Sequence, residues 1–238
     1  MKLIPMAVSL LPFFSFFKGT PHQLGAVKQF EDQLGPEVLD EDSEWFETWK
    51  ATSKDLENHL PVYYSQHALP DGHRMCATSA AAMAAKYLRA IDDQEQYSSI
   101  RSLYGDTTSV MAQVRALRAV GIHAEFRTNA NPDDIYEALE KQQIVLVGWY
   151  HQGNTLRGEP PMCSSTGCGH WSIIHGFGNR FTHEATWVMS DPAGKPLLDV
   201  GGHDRNQSGY RVKVSQEAFN YRWLIEGENT GWAIFVSP

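Results

Sequence analysis

The segment Gln66–Tyr87, QHALPDGHRMCATSAAAMAAKY, decides the fold of this chain. A polar, turn-rich approach leads into Cys76, and a run rich in Ala follows at once. Ala, Met, Lys and Leu are strong helix formers, so the pattern predicts a helix over Ala77–Arg89 with Cys76 at its first turn. Because the side chains are small, we expect this helix to pack closely on a sheet, central and buried, with the sulfur at its tip.

The position of Cys76 has a chemical consequence. The partial positive charge at a helix N-terminus favours the thiolate over the thiol, and the thiolate is the nucleophilic form of cysteine. The alternative is a buried structural cysteine that merely begins a core helix. Residues elsewhere in the chain have to decide between these two interpretations.

Composition limits the class of protein. The 238 residues suffice for one substantial domain with an appendage. The formal net charge is -8, and no basic stripe is available to neutralise phosphates, so the sequence argues against nucleic acid as a partner. Three cysteines, one isolated and two close together, are typical of a free thiol plus a local pair.

The first sixty residues differ in character from the rest. Residues 1–19 form an apolar run that resembles a secretory signal, but two prolines interrupt it and it is shorter than the roughly 20 residues of a spanning helix. Three interpretations of this run stay open: an uncleaved anchor, a precursor's signal, or an apolar arm that docks on a partner. We favour the arm or anchor, which implies a membrane or protein partner. We predict that residues 20–60 form an acidic helical extension and that residues 61–238 form the main domain.

Helices come early in the main domain and strands later. A short β-like run at 61–64 precedes Gln66, and helices are predicted over 109–120 and 135–141. Apolar runs predict strands at IHAEFRT, IVLVGWY, WSIIHGFG, ATWVMSDP, YRVKVS and GWAIFVS, with a short helix over Gln216–Trp223. This order predicts an α+β fold in which the N-terminal helices pack on an antiparallel sheet.

The run GHWSIIHG places His170 at the mouth of a strand. Side chains alternate along a strand, so His170 and Ile174 face one way while Trp171 and His175 face the other. Only one of the two histidines can therefore share a face with Cys76, and we assign that place to His170.

Asp191 lies where the next predicted strand ends in a turn. If the two strands pair, Asp191 can hydrogen-bond the second ring nitrogen of His170. A cysteine thiolate, a histidine base and an orienting carboxylate form the activated nucleophile that acyl transfer needs. The oxyanion of such a reaction needs two donors, and the backbone N–H of Cys76 and the side-chain amide of Gln66 are the candidates.

These residues carry a family resemblance. The sequence resembles papain-like cysteine peptidases of the bacteriocin-processing (double-glycine) type, and we expect a stand-alone member because no transporter portion follows. The matching motifs are YYSQ with Gln66, MCATSAAAMAAKYL with Cys76, GHWSIIHGF with His170, SDPAG with Asp191, and the flanking IYEALEKQQIVLVGW and VSQEAFNYRWL. The resemblance covers roughly residues 60–238. It implies a papain-like fold, Cys76 as nucleophile, His170 as base, Asp191 as its orienter and Gln66 as oxyanion donor.

The function that follows is a thiol protease acting on a peptide or isopeptide bond, without cofactor or metal. Relatives of this kind lead us to expect bacterial cell-wall peptidoglycan as the substrate and an extracytoplasmic or virion-associated setting, as in a bacteriophage or bacterial lytic factor. The alternative is a catalytically inactive papain-like module that serves binding or structure in a larger assembly such as a virion.

Cys163 and Cys168 lie shortly before His170. A local disulfide is the favoured interpretation, followed by two unpaired thiols. A Cys-Cys-His metal site with His170 is the third, and it lacks an obvious fourth ligand at useful spacing. A metal on His170 would disable the peptidase mechanism.

Overall fold

The computed structural model describes residues 55–60, 62–163 and 169–238, which contain five α-helices and nine β-strands. The helices are α1 (Cys76–Tyr87), α2 (Gln94–Ser102), α3 (Val110–Ala119), α4 (Pro132–Glu140) and α5 (Gln216–Trp223). The strands are β1 (Leu56–Glu57), β2 (His123–Ala130), β3 (Ile144–Trp149), β4 (His170–Gly178), β5 (Thr186–Ser190), β6 (Lys195–Pro196), β7 (His203–Asp204), β8 (Val212–Ser215) and β9 (Gly231–Ser237).

One large antiparallel sheet organises these elements. Its strand order is β2–β9–β3–β4–β5–β8, and β1 pairs with β4 at one end of that strand. Strands β6 and β7 form a separate two-stranded ribbon. The strand furthest along the chain, β9, therefore lies between β2 and β3 in the interior of the sheet.

Helices cover both faces of the sheet. One buried cluster joins α1, α2 and α3 to one face, and a second joins α4 and α5 to the other. Strand β3 shows why its sequence is a continuous apolar run: Ile144 and Leu146 enter the first cluster, while Val145 and Val147 enter the second. The predicted α+β fold, with N-terminal helices packed on an antiparallel sheet, is confirmed.

Helix α1 packs against β4 and β3, as its small side chains predict. Its alanines from Ala80 to Ala85 are fully buried, so the backbone itself approaches the sheet. The helix begins at Cys76, one residue before the predicted start. It ends at Tyr87, earlier than predicted, because Arg89 adopts a left-handed backbone with φ of 59° that a helix cannot continue through.

A buried polar network fixes α1 to its neighbouring helices. The hydroxyls of Thr78 and Thr107 lie 2.7 Å apart, and the amide of Gln113 in α3 donates to Thr78 Oγ1 at 3.0 Å and to the Thr107 carbonyl at 2.8 Å. From α2, Gln94 donates to Ser79 Oγ at 2.5 Å. Since buried polar groups are costly when unpaired, this network specifies one arrangement of the three helices.

The structure differs from the sequence predictions at two places. No element was predicted at Gln94–Ser102, where the structure has α2, capped by Asp93. A strand was expected at 61–64, but residues 62–64 are in no strand, and the nearby strand is β1, at Leu56–Glu57.

Residues 1–54, 61 and 164–168 lie outside the described residues, and with them the apolar segment 1–19 and most of the extension 20–60. The domain boundaries therefore stay predictions. Among the helices that the structure describes, none has the length and apolar character needed to cross a membrane.

Candidate active site

Cys76 is the first residue of α1, and its thiol is free and partly buried. Met75 precedes it and supplies no side-chain hydrogen bond to the helix start. No side chain from the cap position therefore occupies the first-turn N–H groups, including that of Cys76. The side chain of His170 and the backbone N–H of Trp171 interact with the sulfur and lower the pKa of the thiol.

His170 is the first residue of β4 and lies opposite Trp149 of β3 in the sheet register. Its side chain is buried, and Nε2 lies 2.9 Å from both carboxylate oxygens of Asp191. Asp191 follows the last residue of β5, which pairs with β4 as expected. Because Nε2 is taken by the carboxylate, Nδ1 is the ring nitrogen left for the Cys76 thiol.

Strand alternation predicts that His170 shares a sheet face with Cys76, and the structure shows that it does not. Trp171 and Ile173 pack in the cluster that contains α1, whereas Ile174 packs in the cluster on the other side. His170 therefore alternates onto the face away from α1. It still reaches Cys76 because it is the first residue of its strand, at the end of the sheet where α1 begins.

His175 lies further along β4 and is fully buried. Its Nδ1 lies 3.0 Å from the Asn58 carbonyl, and its Nε2 lies 3.1 Å from Ser190 Oγ. Proximity to the end of the strand, and not the strand face, thus distinguishes the histidine beside Cys76 from the histidine of the core.

The Asp191 carboxylate is fully buried and accepts several hydrogen bonds besides those of His170. Ser172 Oγ donates to Oδ2 at 2.7 Å, and the Ala193 backbone N–H donates to Oδ1 at 2.8 Å. Nε2 of His203 lies 3.2 Å from Oδ2. This shell compensates the loss of hydration that an ionised buried carboxylate suffers.

Trp149 shields the His170–Asp191 pair. Its indole Nε1 donates to Ser172 Oγ at 2.8 Å, and its ring meets the His170 ring nearly edge to face, at 84° with centroids 5.6 Å apart. Trp149 is only 2% exposed, so it keeps water from this side of the pair. Excluding water strengthens the attraction between the carboxylate and an imidazolium.

The electrostatics of the site favour a charged Cys76–His170 pair. Burial alone raises the pKa of the Cys76 thiol, but the hydrogen bond and charge of His170 outweigh burial and hold this pKa below its ordinary value. Burial alone lowers the pKa of the His170 imidazole, but the charge and hydrogen bond of Asp191, followed by Cys76, raise it. Burial would raise the pKa of the Asp191 carboxyl, yet His170 and His203 hold it well below its usual range.

Gln66 begins a 3₁₀ turn, Gln66–Ala68, and is buried. Its backbone N–H donates to the Pro192 carbonyl at 2.9 Å, which ties the turn to the chain beside Asp191. The side-chain oxygen Oε1 is buried and has no hydrogen-bond partner among the described residues. A Cβ on Gly72 would lie 2.8 Å from the Gln66 carbonyl oxygen, so only glycine allows this close approach of the loop that leads to α1.

Two histidines near Asp191 were missed by sequence reasoning. His203 of β7 lies with its ring centroid 4.4 Å from that of His170, and His151 lies 5.3 Å from His170 and 5.4 Å from His203. The position of His151 could have drawn attention, because it directly follows a predicted strand. In the structure the last residue of that strand, Trp149, pairs with His170. The sequence GGHD around His203 carries no comparable signal.

Cys163 is disulfide-bonded, and its partner lies outside the described residues, as does Cys168. This excludes the interpretation of Cys163 as an unpaired thiol. It also excludes the Cys-Cys-His metal site, because a disulfide sulfur is not the thiolate that a metal requires.

Comparison with known proteins places the fold. No protein-family model matches the chain, and no curated protein does. Among solved structures it is similar to a C39-like peptidase from Bacillus anthracis, with 16% identity and a TM-score of 0.50 over 78% of this chain and 98% of that one.

Two further solved structures show weaker similarity. The peptidase domain of Streptococcus ComA, a bifunctional ABC transporter in quorum sensing, has 16% identity and a TM-score of 0.43 over 70% of this chain and 93% of that one. A double-glycine-motif protease from an AMS/PCAT transporter, solved with its leader peptide, has 15% identity and a TM-score of 0.44 over 77% and 95%.

The fold is thus the papain-like fold of C39-like cysteine peptidases. The resemblance inferred from the sequence motifs is confirmed at the level of the fold.

Proposed function

We propose that this protein is a cysteine peptidase that hydrolyses a peptide or isopeptide bond, with Cys76 as nucleophile, His170 as general base and acid, Asp191 as orienter and Gln66 as oxyanion donor. One observation carries the proposal: a free thiol at a helix N-terminus interacts with an imidazole whose Nε2 is held by a buried carboxylate. A cysteine that only begins a core helix does not need that connection.

Acylation uses the charged pair. The Cys76 thiolate attacks the substrate carbonyl carbon, forming a C–S bond while the carbonyl π electrons move to oxygen. The backbone N–H of Cys76 and the Gln66 amide stabilise this oxyanion. When the intermediate collapses, the C–N bond breaks and His170 gives its Nδ1 proton to the leaving amine, leaving a thioester.

Deacylation reverses the role of the imidazole. Neutral His170 removes a proton from a water molecule, and the hydroxyl attacks the thioester carbon. The second oxyanion collapses with cleavage of the C–S bond, which releases the acid and restores the thiolate beside a protonated His170. Asp191 keeps the Nε2–H bond throughout and so holds Nδ1 toward the sulfur.

The substrate class we propose is the peptide part of bacterial cell walls, in an extracytoplasmic or virion-associated setting. This part rests on the sequence, namely the resemblance to stand-alone peptidases, the acidic composition and the apolar N-terminal run.

The test is zymography on purified cell walls, run beside an unbiased peptide library. Wild type is expected to clear the walls and Cys76→Ala is not. His170→Asn should fail as well, while His183→Asn, at a side chain that is 86% exposed, should behave as wild type. Clearing that survives Cys76→Ala rules out the mechanism. Cleavage in the library without clearing rejects only the cell-wall substrate.

A further inference from the structure

Two imidazoles converge on the Asp191 carboxylate. Among the described residues, one nitrogen each from His170 and His203 and one oxygen of Asp191 lie within 4.8 Å of one another. The two nitrogens are 2.9 Å and 3.2 Å from the carboxylate oxygens. Imidazole and carboxylate bind Zn²⁺ at about 2.0–2.2 Å, which places neighbouring ligands of a tetrahedral ion roughly 3.3–3.6 Å apart. The group needs only a small expansion to admit an ion.

We propose that His170, His203 and Asp191 bind one divalent transition-metal ion, for which Zn²⁺ is the probe, and that the bound ion reversibly inhibits the enzyme. Two nitrogens and one oxygen form a donor set that suits zinc and disfavours Mg²⁺ and Ca²⁺, which take oxygen ligands. The inhibition rests on the proposed function, whereas the binding does not.

The backbone around the group is held in place. The Gly202 N–H donates to the His151 carbonyl at 2.6 Å, which joins the segment before β7 to the segment after β3. Arg222 of α5, fully buried, donates to the carbonyls of Gln152 at 2.8 Å and Gly153 at 2.7 Å. The loops that carry His151 and His203 are therefore fixed against each other before any ion enters.

His151 offers the site a further ligand. Its Nδ1 is buried and has no hydrogen-bond partner among the described residues. The ring stands beside the three-residue group and not within it, so Nδ1 becomes a fourth ligand only after the side chain rotates. Without that rotation, water completes the coordination, as in zinc sites with three protein ligands.

The ion is expected on the side of the His170 ring away from Cys76. The sulfur is not a member of the group, and because Asp191 holds Nε2, the other ring nitrogen is the one left for the sulfur. A metal on Nε2 leaves His170 only its Nδ1 proton, and giving that proton to a leaving amine would create an imidazolate. Turnover therefore stops at leaving-group protonation, although the thiol stays accessible. A metal ion that inhibits by binding the sulfur would, in contrast, make the thiol inaccessible.

Calorimetric titration of the full chain with ZnCl₂ tests the binding, with Cys76→Ala as the parent so that the thiol cannot contribute. One site is expected. Adding His203→Gln should weaken it at least about tenfold. Adding His183→Asn, at an exposed side chain, should leave it unchanged. Loss of binding in Cys76→Ala, or equal binding with His203→Gln, overturns the proposal.

Cobalt(II) gives a readout that does not depend on the folding of a variant. Wild type loaded with Co²⁺ should show tetrahedral visible bands without the strong near-ultraviolet band of a cobalt–thiolate bond, and a strong thiolate band overturns the proposal. In the activity arm, Zn²⁺ should stop hydrolysis and a chelator should restore it, while iodoacetamide still labels Cys76. If the chain hydrolyses nothing, the peptidase proposal fails and the two binding experiments still decide on the site.

Discussion

His170 Nε2 lies equidistant from the two carboxylate oxygens of Asp191, at 2.9 Å from each. This bond determines the chemistry of the site, because it leaves Nδ1 to the thiol and favours the protonated ring.

The first prediction concerns the reactivity of the thiol. Because His170 lowers the pKa of Cys76, iodoacetamide at about pH 6 should label Cys76 far faster than an ordinary thiol. His170→Ala should reduce the rate at that pH by at least about tenfold, since an ordinary thiol is almost fully protonated there. Mass spectrometry of the labelled peptide measures the rate, with a chelator present. Equal rates in the two proteins would refute the charged pair.

The second prediction concerns Gln66. Replacing it by Ala, or by Glu of similar shape, removes the proposed oxyanion donor and should lower kcat by roughly 10²–10³ with a smaller effect on KM. The labelling rate of Cys76 should stay as in wild type, because in the proposed mechanism the amide acts on the substrate oxygen and not on the thiol. A rise in KM at constant kcat would show a binding role instead.

The third prediction concerns the chain of hydrogen bonds from Trp149 through Ser172 to Asp191. Ser172→Ala leaves the buried indole N–H without its acceptor and should cost about 1–3 kcal/mol in the free energy of unfolding. Trp149→Phe removes the same hydrogen bond by taking away its donor, the indole N–H. The double variant should therefore cost less than the sum of the single ones in urea unfolding. Strict additivity would show that the two groups act independently.

The fourth prediction concerns stability in acid. Burial lowers the pKa of His175 to about 4, against the raising effect of Glu57 and with smaller lowering effects of Arg211 and His59. The pKa is thus lower in the folded than in the unfolded chain, where it is near 6.5. This contribution to stability is complete above about pH 6.5 and declines by about 1.4 kcal/mol per pH unit as pH falls toward 4.

His175→Gln should flatten that decline, because the variant has no proton to bind at this position. His183→Gln, at an exposed side chain, is the matched control and should keep the wild-type slope. Urea unfolding at a series of pH values measures both. An unchanged slope in His175→Gln contradicts the assignment.

The fifth prediction concerns the contact of α1 with the sheet. Ala84 is completely buried, so Ala84→Leu should overpack the contact and cost about 1–3 kcal/mol. The same change at Ala119, an exposed residue at the end of α3, should cost little. Thermal or urea unfolding compares the two. Similar small effects at both positions would mean that α1 does not depend on its small side chains.

Much of this structure follows from local sequence. The start of α1, the full length of β9 and the bounds of α5 agree with prediction within a residue, because apolar period and helix propensity act within each segment. Helix α2 was missed for the opposite reason. Its residues are mostly polar, and what stabilises it is tertiary: Gln94 bonded to Ser79, and Tyr97 buried against α3 with its hydroxyl on Gln113.

The site was predictable only in part. Cys76, His170 and Asp191 could be chosen because each lies at the end of an element and the three types form a known chemical set. The rule of strand faces selected the histidine that lies beside Cys76, but for the wrong reason, because His170 approaches Cys76 around the end of the sheet. His203 was not predictable, because a short ribbon places it beside Asp191 through contacts far apart in sequence.

The interior position of β9 has a consequence for biosynthesis. A nascent chain that has emerged from the ribosome as far as α5 already carries Cys76, His170 and Asp191, but β2 and β3 lack the strand that joins them. Domains fold as units once their sequence has emerged, so the sheet can close only after Gly231–Ser237 is synthesised. The sheet that carries His170 and supports Cys76 and Asp191 is therefore incomplete until β9 has been synthesised, so the three side chains cannot be held in their final arrangement before that point.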